Sequence, residues 1–524
     1  MNKDGSNMHK IIGIVRRLDF LANNVPLSLT VICIISIFFR LYFFPFGIPL
    51  TYDAVNYFWY ASDINILGRL PNGYTFGNNG WPVFLAPFFT MLKSNNMILH
   101  MELQRTISVL ISVLTVIPVY FLCKRFVDYK FAIIGAIIFA FEPRLIQDSL
   151  AGLNSSMYIA LETLALVLFF SSNKYAKYYS FALIGFASIV RSEGLFLFFA
   201  LSIIYFFNNR KNKREIIKYA ILFLIFFIVI TPMAILKIQV NGNDGLSSRI
   251  IGTTSEILEN NSTGNQGIFD YIANGSITFV KFFGWDMIPI FIFFVPIGIF
   301  LFFRNRSDEK TTIIVTSIII SIPILYAYSA QALDTKYFYP LYPIFCIISA
   351  IAMKKFSEYI RRPDFFIIIV IIGIFVLSFI FLNFKLIDLE HDREYYLVTQ
   401  YVINNTRGIN DYYPEAGYLL PVEMEMKWPI LKSDFVKHII VSDTGEFNSM
   451  KYDSVYEYIK TEKNNGLSHI ITDNNPNRPL FLKDVFLHEE KYPYLLKQFD
   501  SKNHGFIHEI KIFRINYEIF DPNP

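Results

Sequence analysis

Eleven long apolar stretches constrain the fold of this 524-residue chain more than any other feature. A helix needs about 20 apolar residues to cross the hydrocarbon core of a bilayer. Only 17% of the residues are charged and 53% are hydrophobic, whereas soluble domains are roughly 25% charged. The pattern predicts a mainly α-helical, polytopic membrane protein with about eleven transmembrane helices, near residues 24–44, 102–123, 131–146, 153–171, 179–190, 194–208, 216–236, 286–303, 311–330, 338–353 and 364–383.

The distribution of positive charge predicts how these helices cross. A cytoplasmic N-terminus places most Lys and Arg residues in the inner loops, as the positive-inside rule requires. An odd number of crossings then puts the loop after the first span, and the C-terminal tail, outside the cytoplasm. The fifth and sixth stretches are short and joined by residues 191–194, so a hairpin that does not fully cross is an alternative there. Abundant Ile, Asn and Lys fit a prokaryotic cell membrane, archaeal as readily as bacterial.

Two domains are expected. Residues 1–384 form the transmembrane domain, whose two long outer loops, 45–101 and 237–285, are typical of segments on a membrane surface. Within the first loop, apolar residues at helical spacing predict a surface helix over 54–67. Residues 385–524 are acidic and mixed in composition, and predict a soluble extracytoplasmic α/β domain. Its predicted helices cover 391–405 and 450–463, and its predicted strands 437–443, 468–473 and 508–516.

Ionisable side chains gather at the outer ends of the predicted spans. A charge at membrane depth costs roughly 2.5–3.5 kcal/mol, so each is a candidate for function. The set comprises Asp53, Asp63, Glu142, Arg144, Asp148, Arg191, Glu193, Lys281, Asp286, Asp334 and Lys336. Transfer of a sugar from a lipid phosphate requires this combination, because a carboxylate must deprotonate the acceptor while cations neutralise the departing phosphate.

Several short motifs occur on that side, in a recognisable order. They are Tyr52-Asp53 after the first span, Gly80-Trp-Pro-Val-Phe-Leu-Ala-Pro87, Asp148-Ser-Leu-Ala-Gly-Leu153, Arg191-Ser-Glu-Gly194 and Lys336-Tyr-Phe-Tyr-Pro-Leu-Tyr-Pro343. Because of these motifs, residues 24–383 resemble the GT-C membrane glycosyltransferases, especially the branch of protein O-mannosyltransferases and lipid A aminoarabinose transferases. The resemblance implies a polyprenyl- or dolichyl-phosphate sugar donor, inversion at the anomeric carbon, and an essential aspartate in the first loop, which maps to Asp53.

The chain departs from that family pattern at three places. Ala54 follows Asp53 where the mannosyltransferases usually have a glutamate. Residues 154–156 are Asn-Ser-Ser where many relatives have an acid, which leaves Asp148 as the nearest candidate for a second acid. Lys336 stands where relatives often have arginine, so the charge is kept but the bidentate fork is lost.

These observations assign provisional roles. Asp53 and Asp148 are the predicted catalytic residues, and Asp53 is the predicted general base. The predicted substrate- and phosphate-binding residues are Tyr52, Arg144, Arg191, Glu193, Lys336 and Tyr337.

Each assignment has a structural alternative. Asp53 or Thr51 could cap the surface helix, and Asp148 could cap the fourth span. Arg191 could pair with Glu193 in a tight turn, and Lys336 could extend toward lipid headgroups. Asp63 is expected on a solvated face and Trp285-Asp286 in a structural role.

The expected partners are a polyprenyl- or dolichyl-phosphate sugar, membrane lipids, and an acceptor protein or glycan, whereas the small net charge of +4 argues against nucleic acid. The dispersed histidines predict no metal cluster, although a divalent cation (Mg or Mn) at Asp53 is an open alternative. Two other functions stay open: the catalytic subunit of an oligosaccharyltransferase, and a polytopic lipid or solute transporter. The absence of an internal repeat counts against the transporter.

Overall fold

The computed structural model describes residues 24–72, 74, 79–92, 94, 96–245, 268–304, 307–405, 408–410, 445–447, 449–473, 479–507 and 509–521. The chain is mostly helical and divides into two compact units. In chain order the α-helices are α1 Val25–Tyr42, α2 Tyr52–Leu67, α3 Gly80–Met91, α4 Met97–Leu114, α5 Val116–Cys123, α6 Tyr129–Phe141, α7 Pro143–Ala151, α8 Ser155–Phe169, α9 Ala176–Val190, α10 Glu193–Asn209, α11 Lys213–Asn241, α12 Ile268–Met287, α13 Val295–Arg304, α14 Asp308–Ser329, α15 Tyr342–Tyr359, α16 Pro363–Asn405, α17 Val455–Glu462, α18 Leu480–Leu487 and α19 Tyr517–Phe520.

The first unit comprises residues 1–44, 70–85 and 104–383 and contains most of the apolar helices. Six helical segments of the described chain are long and apolar enough to cross a membrane: Val25–Tyr42, Met97–Cys123, Lys213–Asn241, Asp308–Ser329, Thr335–Tyr359 and Pro363–Val402. Shorter apolar helices, of 10–17 residues, occupy the remaining predicted stretches. The prediction of a multi-pass, mainly helical membrane fold is confirmed, whereas the number of eleven crossings and the orientation stay predictions.

The third predicted span, 131–146, is wrong at its C-terminal end. Helix α6 ends at Phe141, because Glu142 adopts extended backbone angles (φ −64°, ψ 114°) ahead of Pro143. A proline disfavours helical geometry in the residue before it, yet suits the first position of a new helix. The short helix α7 therefore starts at Pro143 and ends where Gly152 takes a left-handed conformation (φ +76°).

The last apolar stretch continues much further than predicted. Helix α16 runs unbroken from Pro363 to Asn405, so the span predicted over 364–383 and the helix predicted over 391–405 belong to one element of 43 residues. The first unit ends at Asn383 within this helix, and the second continues from Phe384. Residues 384–396 are rich in charged and aromatic side chains but contain no proline or glycine, so the helix has no local signal to stop.

The second unit comprises residues 45–69, 86–103 and 384–524. Helix α2 confirms the helix predicted over 54–67, and it ends at Gly68 in a left-handed conformation (φ +65°). The expectation for Asp63 is wrong, since this residue is only 1% exposed. Helix α2 buries residues on most of its circumference, including Phe58, Trp59 and Tyr60, so its polar positions do not all face solvent.

A five-stranded sheet completes the second unit. The strands are β1 Gly408–Asn410, β2 Gly445–Phe447, β3 His469–Thr472, β4 Leu495–Asp500 and β5 Lys511–Ile515, in the spatial order β2-β1-β3-β5-β4. Strands β1, β2 and β3 are parallel, and β5 is antiparallel to both β3 and β4.

The strand predicted over 437–443 lies outside the described residues, while β3 and β5 fall within the other two predicted strands. Ile470 on one face of the sheet packs with helices α17 and α18, and Ile471 on the other face packs with Val398 and Val402 of α16. Both faces of the sheet are therefore buried.

Candidate active site

Helix α7 carries two of the predicted site residues. Arg144 and Asp148 are four residues apart, which places them on the same face of a helix. Both lie in the first unit, and both side chains are largely buried. The proline at its start and the glycine after its end fix this short helix between α6 and α8.

The carboxylate of Asp148 lies in a buried, charged environment. Asp148 is 5% exposed, and neither of its oxygens makes a hydrogen bond of normal length and angle in the described part of the chain. Burial raises its pKa from 3.8 to about 7, an effect that the Ser155 hydroxyl and the charges of Arg191 and Lys336 partly oppose. Asp148 therefore retains hydrogen-bonding capacity and titrates near neutral pH, as a group that exchanges protons with a substrate should. The alternative that Asp148 caps the fourth span is excluded, because Asn154 holds the N-cap position of α8.

Arg191 lies at the tip of the hairpin between α9 and α10. Its guanidinium donates to Glu193 Oε1 at 2.6 Å and to the Ser155 hydroxyl at 3.0 Å, and it lies 5.8 Å from the centre of the Tyr158 ring. The predicted pairing of Arg191 with Glu193 is thus observed. Because Arg191 also acts on Asp148, the pair belongs to the same polar environment as that carboxylate.

Lys336 enters this environment from the 3₁₀-helix Thr335–Leu341. Its ammonium group lies 3.4 Å from Asp334 Oδ2 and 6.0 Å from the centre of the Tyr337 ring. The Asp334 side chain also accepts a hydrogen bond from the Lys336 backbone, which holds the lysine in place. We call Asp148, Arg191, Glu193, Asp334 and Lys336 the Asp148 cluster.

Arg144 is bound in a second arrangement beside this cluster. Its Nη2 donates to the Trp285 carbonyl oxygen at 2.7 Å, and its Nε lies 3.7 Å from Asp286 Oδ1. Asp286 is fully buried and accepts a hydrogen bond of 2.9 Å from the Tyr342 hydroxyl. The expectation of a structural role for Trp285-Asp286 agrees with these contacts, since they fix Arg144. Electrostatic coupling of Asp286 to Asp334 links the arrangement to the Asp148 cluster.

Two buried ionisable residues, Arg40 and Glu162, were not singled out from the sequence, and a third, Glu142, was named only among the charges at span ends. Arg40 of α1 is 0% exposed and donates to Ser112 Oγ at 3.1 Å, Ser149 Oγ at 3.3 Å and the Ala140 carbonyl at 2.9 Å. Arg40 therefore fixes helix α7 through Ser149. Glu142 and Glu162 are also 0% exposed, and their carboxylates make no hydrogen bond of normal geometry among the described residues. A charged residue within an apolar stretch is the signal that could have identified Arg40 and Glu162.

Asp53 and Tyr52 lie in the second unit. Thr51 holds the N-cap position of α2, Tyr52 is its first residue and Asp53 its second. The alternative that Asp53 is the cap is therefore excluded, although its carboxylate is exposed in the first turn.

The described residues provide no obvious metal centre. No group of three or more His, Cys, Asp or Glu side chains able to hold a metal ion is found in the part of the chain that the structure describes.

The family of dolichyl-phosphate-mannose-protein mannosyltransferases matches residues 76–235. No curated protein sequence matches the chain significantly.

Among solved structures, ArnT from Cupriavidus metallidurans bound to undecaprenyl phosphate has a TM-score of 0.55 at 9% identity, over 93% of this chain and 97% of ArnT. The oligosaccharyltransferase AglB from Archaeoglobus fulgidus, in complex with an inhibitory peptide and a dolichol-phosphate, has a TM-score of 0.53 at 12% identity, over 93% of this chain and 74% of AglB. The Archaeoglobus enzyme in complex with zinc and sulfate also matches, with a TM-score of 0.53 at 12% identity, over 85% of this chain and 68% of that chain.

Residues 76–235 thus match a mannosyltransferase family, and the chain shares the fold of ArnT and AglB over most of its length. The family match and the shared fold agree with the resemblance inferred from the sequence, and the long apolar helices agree with a multi-pass membrane protein.

Proposed function

We propose that this chain transfers a sugar from a polyprenyl- or dolichyl-phosphate donor to an acceptor outside the cytoplasm, a protein, glycan or lipid, with inversion at the anomeric carbon. The observation that carries the proposal is the Asp148 cluster, where the charges of Arg191 and Lys336 act on a buried carboxylate whose pKa is raised by burial to about 7. The ArnT and AglB structures, which contain undecaprenyl phosphate and dolichol-phosphate, support a lipid phosphate as the donor group.

In the proposed reaction the acceptor hydroxyl or amine attacks the anomeric carbon of the donor. Asp53 takes the proton of the attacking group, the new bond to the anomeric carbon forms, and the bond from that carbon to the phosphate oxygen breaks. The electron pair of the broken bond stays with the phosphate. Arg191 and Lys336 stabilise this developing charge, and fixed cations lower a barrier most when they are already oriented before reaction.

The remaining predicted residues have supporting roles in the proposal. Asp148 is the second acid, able to hold or release a proton near neutral pH. Glu193 orients Arg191, and Tyr337 lies beside Lys336. Arg144 is held by Trp285 and Asp286, so we assign it to positioning helix α7. Tyr52 adjoins Asp53 at the start of α2 and stays a predicted substrate-binding residue, since its side chain lies outside the described part of the structure.

The proposal includes a divalent cation, Mg or Mn, with Asp53 as one of its ligands. The complex of the Archaeoglobus enzyme with zinc supports metal binding in this fold. Because the described residues offer no group of three or more ligands, we assign the cation no step.

The decisive experiment compares Asp53→Asn with Asp364→Asn. Asp364 is also an exposed aspartate at the second position of an apolar helix, so it controls for charge at a helix N-terminus. Transfer from a radiolabelled polyprenyl-phosphate sugar in proteoliposomes should fall by about 10²–10⁴-fold in Asp53→Asn, the usual contribution of a general base. Asp364→Asn should retain wild-type transfer, and both variants should bind polyprenyl phosphate. Unchanged transfer in Asp53→Asn would refute the assignment of the base.

Oligosaccharyl transfer is the second candidate, favoured by the match to AglB. The match covers 97% of ArnT and 74% of AglB. The mass added to the acceptor distinguishes the two, since one sugar residue or a whole glycan would be transferred.

A further inference from the structure

The short loop between α5 and α6 carries two positive charges. Lys124 and Arg125 are both exposed, and neither has an acidic partner within 4.0 Å in the described part of the chain. Asp128 of the same loop is already engaged, since it lies 3.2 Å from Lys354 and accepts a hydrogen bond from the Phe131 backbone. The loop therefore offers uncompensated positive charge.

This loop must lie close to a membrane boundary. It joins α5 and α6, which are both apolar, and the segment Met97–Cys123 that precedes it is long enough to cross the bilayer. This location holds for either orientation of the chain. The loop and the Asp148 cluster lie at opposite ends of α6, which at 1.5 Å per residue separates them by roughly 20 Å. The two sites are therefore distinct.

Two cavities open on this loop, and both are lined by Lys124. The larger has a volume of about 520 Å³ and is lined by Val25, Lys124, Val127, Asp128 and Tyr129. The smaller, of about 290 Å³, is lined by Phe121, Lys124, Arg125 and Val167. Each cavity places Lys124 beside apolar side chains, and the carboxylate that also lines the larger one, Asp128, is paired with Lys354. The cavities therefore suit a group that carries a negative charge next to hydrocarbon.

An exposed apolar strip leads along the helices to the same two cations. Leu110, Leu114, Ile117 and Phe121 are exposed and recur every three or four residues, so they share one face of α4 and α5. This face runs from within the predicted span up to Lys124 and Arg125. An acyl chain lying along it would deliver its headgroup to the cavities.

We propose that Lys124 and Arg125 bind the phosphodiester of an anionic glycerophospholipid, whose acyl chain lies against the exposed strip. Basic pockets between membrane helices bind acidic headgroups, and each Lys or Arg near the surface contributes about fivefold in affinity. The lipid occupies a separate site from the sugar donor, so the proposal does not depend on the function proposed above.

The test uses the full chain, purified in neutral detergent and titrated with phosphatidylglycerol, with bound lipid counted by native mass spectrometry. The double variant Lys124→Gln/Arg125→Gln is compared with Arg210→Gln/Lys211→Gln, which removes the same charge from another exposed inter-helix segment. The first variant should weaken binding about 30-fold, and the control by less than threefold. Both variants should keep the wild-type melting temperature, because the altered side chains are exposed.

Three results would overturn the proposal. Equal weakening in the two variants would mean a general effect of surface charge, and no weakening in the first would mean that the loop binds no lipid. Displacement of phosphatidylglycerol by millimolar inorganic phosphate would mean that the site binds a free anion. Phosphatidylcholine, which has the same phosphodiester but no net charge, should bind at least tenfold more weakly than phosphatidylglycerol.

Discussion

Replacing Asp148 with asparagine should change how the stability of the protein depends on pH. The substitution keeps the shape of the side chain and removes its titration. In the folded protein, burial raises the pKa of Asp148 from 3.8 to about 7. A carboxyl group with a raised folded-state pKa contributes stability below its unfolded pKa, and that contribution is lost as the pH rises through the folded pKa. The window for this group is thus from about pH 4 to pH 7.

The magnitude follows from the two pKa values. Each pKa unit corresponds to about 1.4 kcal/mol, so at pH 8 the buried carboxylate lowers the free energy of unfolding by on the order of 4 kcal/mol. At pH 5 the carboxyl is mostly protonated in the folded protein, and the cost is about 2 kcal/mol. The free energy of unfolding of Asp148→Asn, relative to wild type, should therefore rise by about 2–3 kcal/mol between pH 5 and pH 8.

The protein is heated in detergent at pH 5, 6, 7 and 8. Unfolding exposes the buried Cys123 and Cys346 thiols, and these are measured with a fluorogenic probe after all samples have been brought to the same pH. The difference in melting temperature, variant minus wild type, should grow with pH. A loss of hydrogen bonding in the variant would change the difference in melting temperature by the same amount at every pH. The other carboxylates titrate alike in both proteins, so they do not contribute to the difference. Parallel pH profiles for the two proteins would refute the raised pKa and the environment from which it is inferred.

Two further substitutions test the packing around the site. Arg40→Lys should lower the free energy of unfolding by at least about 2 kcal/mol, because lysine cannot reproduce the fork that bonds Ser112, Ser149 and the Ala140 carbonyl. Denaturant titration would measure this change, and a value below about 0.5 kcal/mol would contradict the prediction. Gly194→Ala should destabilise by about 1–3 kcal/mol or more, since its Cβ would lie 2.4 Å from the Ser188 backbone nitrogen. Gly373→Ala is the matched control, because nothing lies within 4 Å of that Cβ, and equal melting temperatures for the two variants would contradict the clash.

The sequence predicted the helical elements well because apolar length and glycine or proline breaks are local properties. Every predicted stretch contains an apolar helix, and the clustering of charge at span ends led to Arg144, Asp148, Arg191 and Lys336, which the structure places in one unit. The end of α6 was missed because one residue, Glu142, breaks the helix ahead of a proline inside an otherwise continuous stretch.

Other features depend on contacts between distant segments, which a single sequence does not display. The partners of Arg40 come from positions 72 to 109 residues away as well as from its own helix. Asp63 was expected in solvent because polar residues usually are, but helix α2 is covered on several sides. Asp286 was assigned a structural role, and only its buried contacts with Arg144 and Tyr342 connect it to the site.

The most direct test of the central claim is a donor-specificity measurement on the wild-type protein. Purified protein in vesicles is offered a polyprenyl-phosphate sugar or the corresponding nucleotide sugar, and the released carrier is quantified together with the sugar transferred to a mixture of peptide, glycan and lipid acceptors. We expect stoichiometric release of polyprenyl monophosphate with an inverted anomeric configuration in the product, and no reaction with the nucleotide sugar. Transfer from the nucleotide sugar alone, or a product with retained configuration, would contradict it.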